Sequence, residues 1–184
     1  MRSLPKTRRL VICGAVLAAL ASPASAQLAP GIGQRCGIDV GFEPIGVGEA
    51  ISQQHQAYHA IVLVSVVVGR EWRTAFEANP TGGPPTWGYL IGRERKLAAS
   101  PLKAGTIVRT AGQPGVQTCA RLIDQLLALV ADLNRSRVRY NPTPAISVNG
   151  ANSNSFTHWA VRKLNLVPPP APSGTYGYYA NLVD

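Results

Sequence analysis

The residues with the clearest chemical potential lie in residues 149–164, N-G-A-N-S-N-S-F-T-H-W-A-V-R-K-L. This stretch reads as a helix with a polar start. Asn152 is a good N-cap, and Asn154 is an alternative one. Arg162 and Lys163 fall in the last turn, where the helix dipole favours cations, and Pro168 forbids continuation. At helical spacing Ser153, Phe156, Ala160 and Leu164 share one stripe, so Ser153 is the inward residue of the first turn. Ser155 and His158 project away from that stripe. An inward hydroxyl at a helix start sits where backbone N–H groups can stabilise developing negative charge. That geometry selects Ser153 over Ser155 as a candidate nucleophile, with Asn152 and Asn154 supporting the helix start and an oxyanion. Ordinary capping explains the same residue types.

His59 is the second chemical group. It opens the run H-A-I-V-L-V-S-V-V-V, residues 59–68, where a polar ring is costly unless it has partners. A histidine at the end of a central strand is a candidate base; a satisfied core histidine is the plain alternative. His55 and His59 have i, i+4 spacing, but His59 belongs to a strand pattern and no acidic third ligand stands nearby. No metal site and no cofactor are expected.

The elements around these groups follow from periodicity. Residues 59–68 show no polar alternation and predict a strand buried on both faces. Gly69-Arg70 reads as a turn. Residues 71–78 alternate Trp72, Thr74 and Phe76 against Arg73, Ala75 and Glu77, as a half-buried partner strand does. Residues 79–85 are a loop by their Pro, Gly and Asn content. Residues 87–96 and 105–110 are further strand candidates. The strongest helix is 116–133, where Val116, Cys119, Ala120, Ile123, Leu126, Leu127, Val130 and Leu133 form an apolar stripe. Residues 135–140 turn basic, and 141–144 form a loop. Residues 168–172 must be extended because of their prolines, and 174–183 read as a final strand or a packed tail. Strands followed by two helices predict an α+β fold, an antiparallel sheet packed against two main helices.

The beginning of the chain reads as an address. Arg2, Lys6, Arg8 and Arg9 precede an apolar run of residues 10–21, which is too short to span a bilayer comfortably. Ala24-Ser25-Ala26 then supplies a small-x-small pattern, so a signal peptide is expected to be cut after Ala26. Bulky Ile12 before Cys13 argues against a lipoprotein anchor. The expected organisation is a signal peptide at 1–26, a lead-in at 27–50, one α+β domain at 51–167 and a Pro-rich tail at 168–184. The product would be periplasmic or secreted, monomeric and without a membrane span.

Charge and cysteines fit that compartment. The formal charge of +9 falls to +5 once the four basic residues of 1–26 are removed, leaving 14 positive against 9 negative. The basic residues are scattered apart from Arg93-Glu94-Arg95-Lys96, with no recognition motif, which argues against a nucleic-acid partner. Cys36 and Cys119 remain, and an even count in an oxidising compartment predicts a disulfide between them. Cys119 lies on the helix stripe, so the bond would tie the inner helix face to the lead-in.

The order of these motifs resembles the circularly permuted papain-like superfamily, in particular the PPPDE isopeptidases and the lecithin retinol acyltransferase-like proteins. The matching residues are Tyr58-His59-Ala60 with the apolar run 61–68, then Gly69-Arg70-Glu71-Trp72, then Asn152-Ser153-Asn154-Ser155-Phe156. They span roughly residues 55–165. The last motif is also similar to that of secreted bacterial proteins carrying Asn-Ser-Asn-[Ser/Thr]-Phe. The resemblance implies a hydrolase or acyltransferase acting on amide or ester bonds, with Ser153 as nucleophile and His59 as base. Glu77 or Asn79, at the end of the neighbouring strand, is the expected group orienting the histidine. The family nucleophile is a cysteine, whose thiol ionises far more readily than a serine hydroxyl. The alternative is therefore a catalytically inactive binding module for an envelope peptide or glycan, with Trp72, Trp87 and Tyr176 as stacking surfaces.

Overall fold

The computed structural model describes residues 35–45, 57–66, 71–84, 86–115, 118–142, 151–180 and 182. The expected signal peptide, His55 and the Gly69-Arg70 turn lie outside them. The strands are β1 (Cys36–Ile45), β2 (Ala57–Val66), β3 (Glu71–Pro80), β4 (Leu90–Lys96) and β5 (Ile107–Gly112), followed by helices α1 (Cys119–Ser136) and α2 (Ser153–Lys163). The strands form one antiparallel sheet in the order β4-β3-β2-β1-β5. The α+β architecture expected from the sequence is present, and β2 is the central strand.

The lead-in expected at 27–50 is corrected by β1, which is paired on both sides, with β2 and with β5. Its sequence C-G-I-D-V-G-F-E-P-I alternates Cys36, Ile38, Val40 and Phe42 inward. The glycines and proline disguised that period. Gly41 fits a crowded spot, because a Cβ there would lie 3.0 Å from Ile61 Cγ1 and 3.1 Å from Leu63 Cδ1, and those side chains would have to give way. Of the two forms expected for residues 174–183, a final strand or a packed tail, the packed tail is present. Tyr178 is fully buried and meets Phe42 edge-to-face, with ring centroids 5.5 Å apart. The 174–180 segment is a series of turns, not a strand.

Strand alternation divides the sheet into two faces. One face buries Ile38, Val40, Phe42, Tyr58, Ala60, Val62, Val64 and Phe76 under both helices and Tyr178. The other carries a smaller apolar cluster of Ile61, Leu63, Ala75 and Leu97, with Trp72, Leu102 and Val108 packed beside it. His59 has the parity of Ile61 and Leu63.

Helix α1 is capped by Thr118, whose side chain accepts from the Arg121 N–H. It buries Cys119, Leu122, Leu126, Val130 and Leu133. The expected stripe had included Ala120 and Leu127, which are exposed, and had left out Leu122. Packing against β4 is close: a Cβ on Gly92 would meet Leu133 and Val130 side chains at 3.3 Å. Cys36 and Cys119 are disulfide-bonded, as expected, across a separation of 83 residues. In the chain-entropy account, a loop of that length contributes about 4–5 kcal/mol. The paired Cys36→Ser, Cys119→Ser variant should lose stability of that order in urea unfolding, and reductant should shift the parent toward the variant's midpoint.

Candidate functional site

The polar start of α2 is built on a gap in the sheet. β2 pairs with β3 only from Val62 to Val66, whereas β3 continues to Pro80 along β4. The edge of β2 at Tyr58 and Ala60 therefore has no neighbouring strand, and buried backbone groups cannot be left without partners. Side chains supply them. Asn154 Oδ1 accepts from the Ala60 N–H at 2.6 Å, and Asn154 Nδ2 donates to the Tyr58 carbonyl at 3.0 Å. Thr157 Oγ1 donates to the Ala60 carbonyl at 2.8 Å. The Tyr58 N–H donates to the Gly174 carbonyl. A single carboxamide thus takes the place of a strand's peptide group, on the two peptide bonds that flank His59.

The same motif ties down the C-terminal segment. Asn152 is the N-cap, and its Oδ1 accepts from the Asn154 and Ser155 N–H groups. The Ser155 hydroxyl accepts from the Asn152 N–H, completing a capping box, and donates to the Gly177 carbonyl at 2.8 Å. Asn152 and Asn154 both donate to the Tyr176 carbonyl. Ser155, expected to project outward, is 0% exposed. His158, also expected outward, meets the rings of Tyr178 and Tyr179. Burial, with the nearby Arg162 charge, pulls the His158 pKa down. Both differences arise because residues 174–180 wrap the side of α2 that a helical projection assigns to solvent.

Ser153 stands apart from this clasp. It is 7% exposed, and its side chain hydrogen-bonds Tyr140. The Tyr140 pKa is raised because burial outweighs that bond. Tyr140 stacks on Trp87 with centroids 5.3 Å apart. Of the other expected stacking residues, Trp72 packs in the second cluster and donates to Asp39, while Tyr176 is exposed.

His59 belongs to a different environment. Its ring faces away from the helix-covered core, and Nε2 lies 3.1 Å from Glu77 Oε2. Glu77 is buried. Burial works to raise its pKa, but hydrogen bonds from His59 and Arg93 and electrostatic attraction to His59 and Arg95 outweigh it. The result is a carboxyl lowered to about 2. Glu77 is ionised at neutral pH, so Nε2 carries the proton. The network continues through Arg95, which grips Glu43 with both terminal nitrogens, at 3.0 and 2.6 Å. Glu43 is 1% exposed and also accepts from the Lys103 N–H. Burial raises its pKa, yet Arg95 and the Lys103 N–H hold it below the ordinary value. Neither Glu43 nor Tyr140 carried any sequence signal, because Glu43 sat in a segment read as a lead-in and Tyr140 in a basic connector.

The structure therefore brings His59 and Glu77 together, and Asn152 and Asn154 together with the helix start. Asn79, the other candidate for orienting His59, has a buried Nδ2 without a hydrogen-bond partner. Among the described residues no hydrogen bond joins Ser153 to His59. No helix among them is long and apolar enough to cross a membrane. Comparison with protein-family models, with curated proteins and with solved structures finds no match.

Two stability measurements follow. Asn154→Ala strands the Ala60 N–H and the Tyr58 carbonyl, at about 1–3 kcal/mol for each buried group. Ser153→Ala should cost less than about 1 kcal/mol, since only the bond to Tyr140 is lost. Urea unfolding of the two variants compares them directly. The depressed Glu77 pKa stabilises the fold above its ordinary value of 4.5, and that contribution is lost as pH falls toward 2. Glu77→Gln should flatten the decline in thermal midpoint between about pH 5 and pH 2.

Proposed function

We propose that the chain is a secreted or periplasmic protein of permuted papain-like topology, and that it binds an envelope peptide or glycan without acyl chemistry. The compartment rests on the signal-like residues 1–26 and is compatible with the Cys36–Cys119 disulfide. The topology rests on the motif order and on α2 beginning against the peptide bonds that flank His59. One observation carries the absence of chemistry. Ser153 is bonded to Tyr140 on the helix side of the sheet, while the His59 ring is held by Glu77 on the other. A serine hydroxyl does not attack an acyl group without a base to take its proton. Without such a base, Ser153 serves with Tyr140 and Trp87 as part of a binding surface.

A second reading is favoured by the pair of His59 and Glu77. A buried, ionised carboxylate at 3.1 Å is how a catalytic imidazole is oriented. In that reading Ser153 is the nucleophile of an amide or ester hydrolase or acyltransferase, His59 its base and Glu77 the orienting group. Labelling with a fluorophosphonate probe separates the two. The binding reading predicts no covalent adduct on the folded protein at neutral pH, by intact-mass measurement. An adduct that disappears in Ser153→Ala and in His59→Ala establishes the hydrolase instead.

A further inference from the structure

Charge is distributed very unevenly along the chain. From Leu133 to Val183 there is no Asp or Glu, while Arg135, Arg137, Arg139, Arg162 and Lys163 are all basic. Arg135 lies in the last turn of α1, Arg137 is its C-cap, and Arg139 follows beside the segment that leads into β4. The Leu90 N–H donates to the Val138 carbonyl at 2.8 Å, the Tyr140 N–H donates to the Gly88 carbonyl at 3.0 Å, and Tyr89 lies opposite Arg139. Alternation in this short ladder sends Val138 and Tyr140 toward the core and leaves Arg139 exposed beside Tyr89.

Two aromatic residues, Trp87 and Tyr89, belong to the segment that pairs with residues 138–140 in this strip. The Arg137 guanidinium lies 5.5 Å from the centre of the Tyr89 ring. Gly88, at φ +74°, turns the chain so that the half-buried Trp87 ring rests on Tyr140. Arg135 pairs with Asp132 and Arg93 with Glu77. Arg137 and Arg139 have no acidic partner among the described residues. Arg137 also occupies the left-handed region, φ 50° and ψ 44°, at the cap of α1. Glycine or asparagine is the ordinary residue there, so the helix end carries backbone strain to place this cation.

We propose that this strip binds an anionic polysaccharide. Sugar rings would stack on Trp87 and Tyr89, and carboxylate or phosphate substituents would pair with Arg137 and Arg139. The inference rests on the binding reading given above and specifies its ligand class. A sugar chain suits the strip better than an acidic peptide does. A peptide would gain affinity by adding a strand to the β4 edge. That edge is already occupied: Val138 and Tyr140 take its groups at Leu90 and Gly88, and the Asn134 carboxamide takes both the Gly92 N–H and carbonyl.

The test is a fluorescence titration of the whole protein at physiological salt. The Trp87 signal is isolated by difference from Trp87→Phe, and the probes are oligogalacturonate, neutral dextran oligomers and polyglutamate. The proposal expects saturable binding of oligogalacturonate only. Arg137→Gly relieves the strained cap, so its Tm should hold or rise while affinity falls about three- to tenfold. Arg139→Ala should also weaken binding. Equal binding of dextran overturns the anionic assignment and leaves the binding reading standing. Polyglutamate binding as tightly as oligogalacturonate overturns the assignment to a glycan. No binding of any probe, with Tm unchanged, overturns the inference; the labelling experiment then decides separately whether the binding reading survives.

Discussion

The edge of β2 before Val62 is the constraint on which the rest of the structure depends. β3 diverges there, and the peptide groups of Tyr58 and Ala60 that face away from β1 are left inside the protein with no strand to pair with. Each such group needs a partner or costs on the order of a hydrogen bond. Asn154, Thr157 and the Gly174 carbonyl meet all of these requirements. Asn134 does the same for Gly92 on β4, where α1 docks. In both places an asparagine carboxamide, one donor and one acceptor on a short stem, serves as a strand surrogate that a helix can carry. The docking of both helices is thereby fixed in register as well as in apolar contact.

The other face of the sheet is organised by charge. Glu43, Glu77 and Arg95 lie almost out of solvent, and each carboxylate is held ionised by guanidinium partners. A buried network of this kind is a weak argument for stability, because desolvation offsets much of the attraction. Its consequence is geometric. It holds the His59 ring on the face opposite the helices, so the histidine that opens the strand and the serine that opens α2 serve different environments.

Much of the fold was legible in the sequence. The β-branched run 59–68 announced the central strand, Glu71 to Ala78 its neighbour, and the spacing from Cys119 to Leu133 the long helix. β1 was not, because Gly37, Gly41 and Pro44 interrupt its composition while leaving its period of two intact. Of the candidate site, Asn152 was readable as the cap, and strand adjacency offered Glu77, with Asn79 as the alternative, as a partner for His59. The roles of Asn154 and Ser155 were not readable, because their partners are backbone groups of β2 and of residues 176–177, remote in sequence. Helical projection sorted Ser155 and His158 outward correctly for an isolated helix and incorrectly for one wrapped by residues 174–180.

Asn152, Asn154 and Ser155 at the start of α2 form a clasp that completes the edge of β2 and holds residues 176–177. Native-state amide hydrogen exchange at Ala60 tests it most directly. The Ala60 N–H is expected to be protected to an extent comparable to Val62 and close to the level of global unfolding, although β3 offers it no partner. Exchange of Ala60 at the rate of an exposed loop, with Val62 still protected, would contradict it.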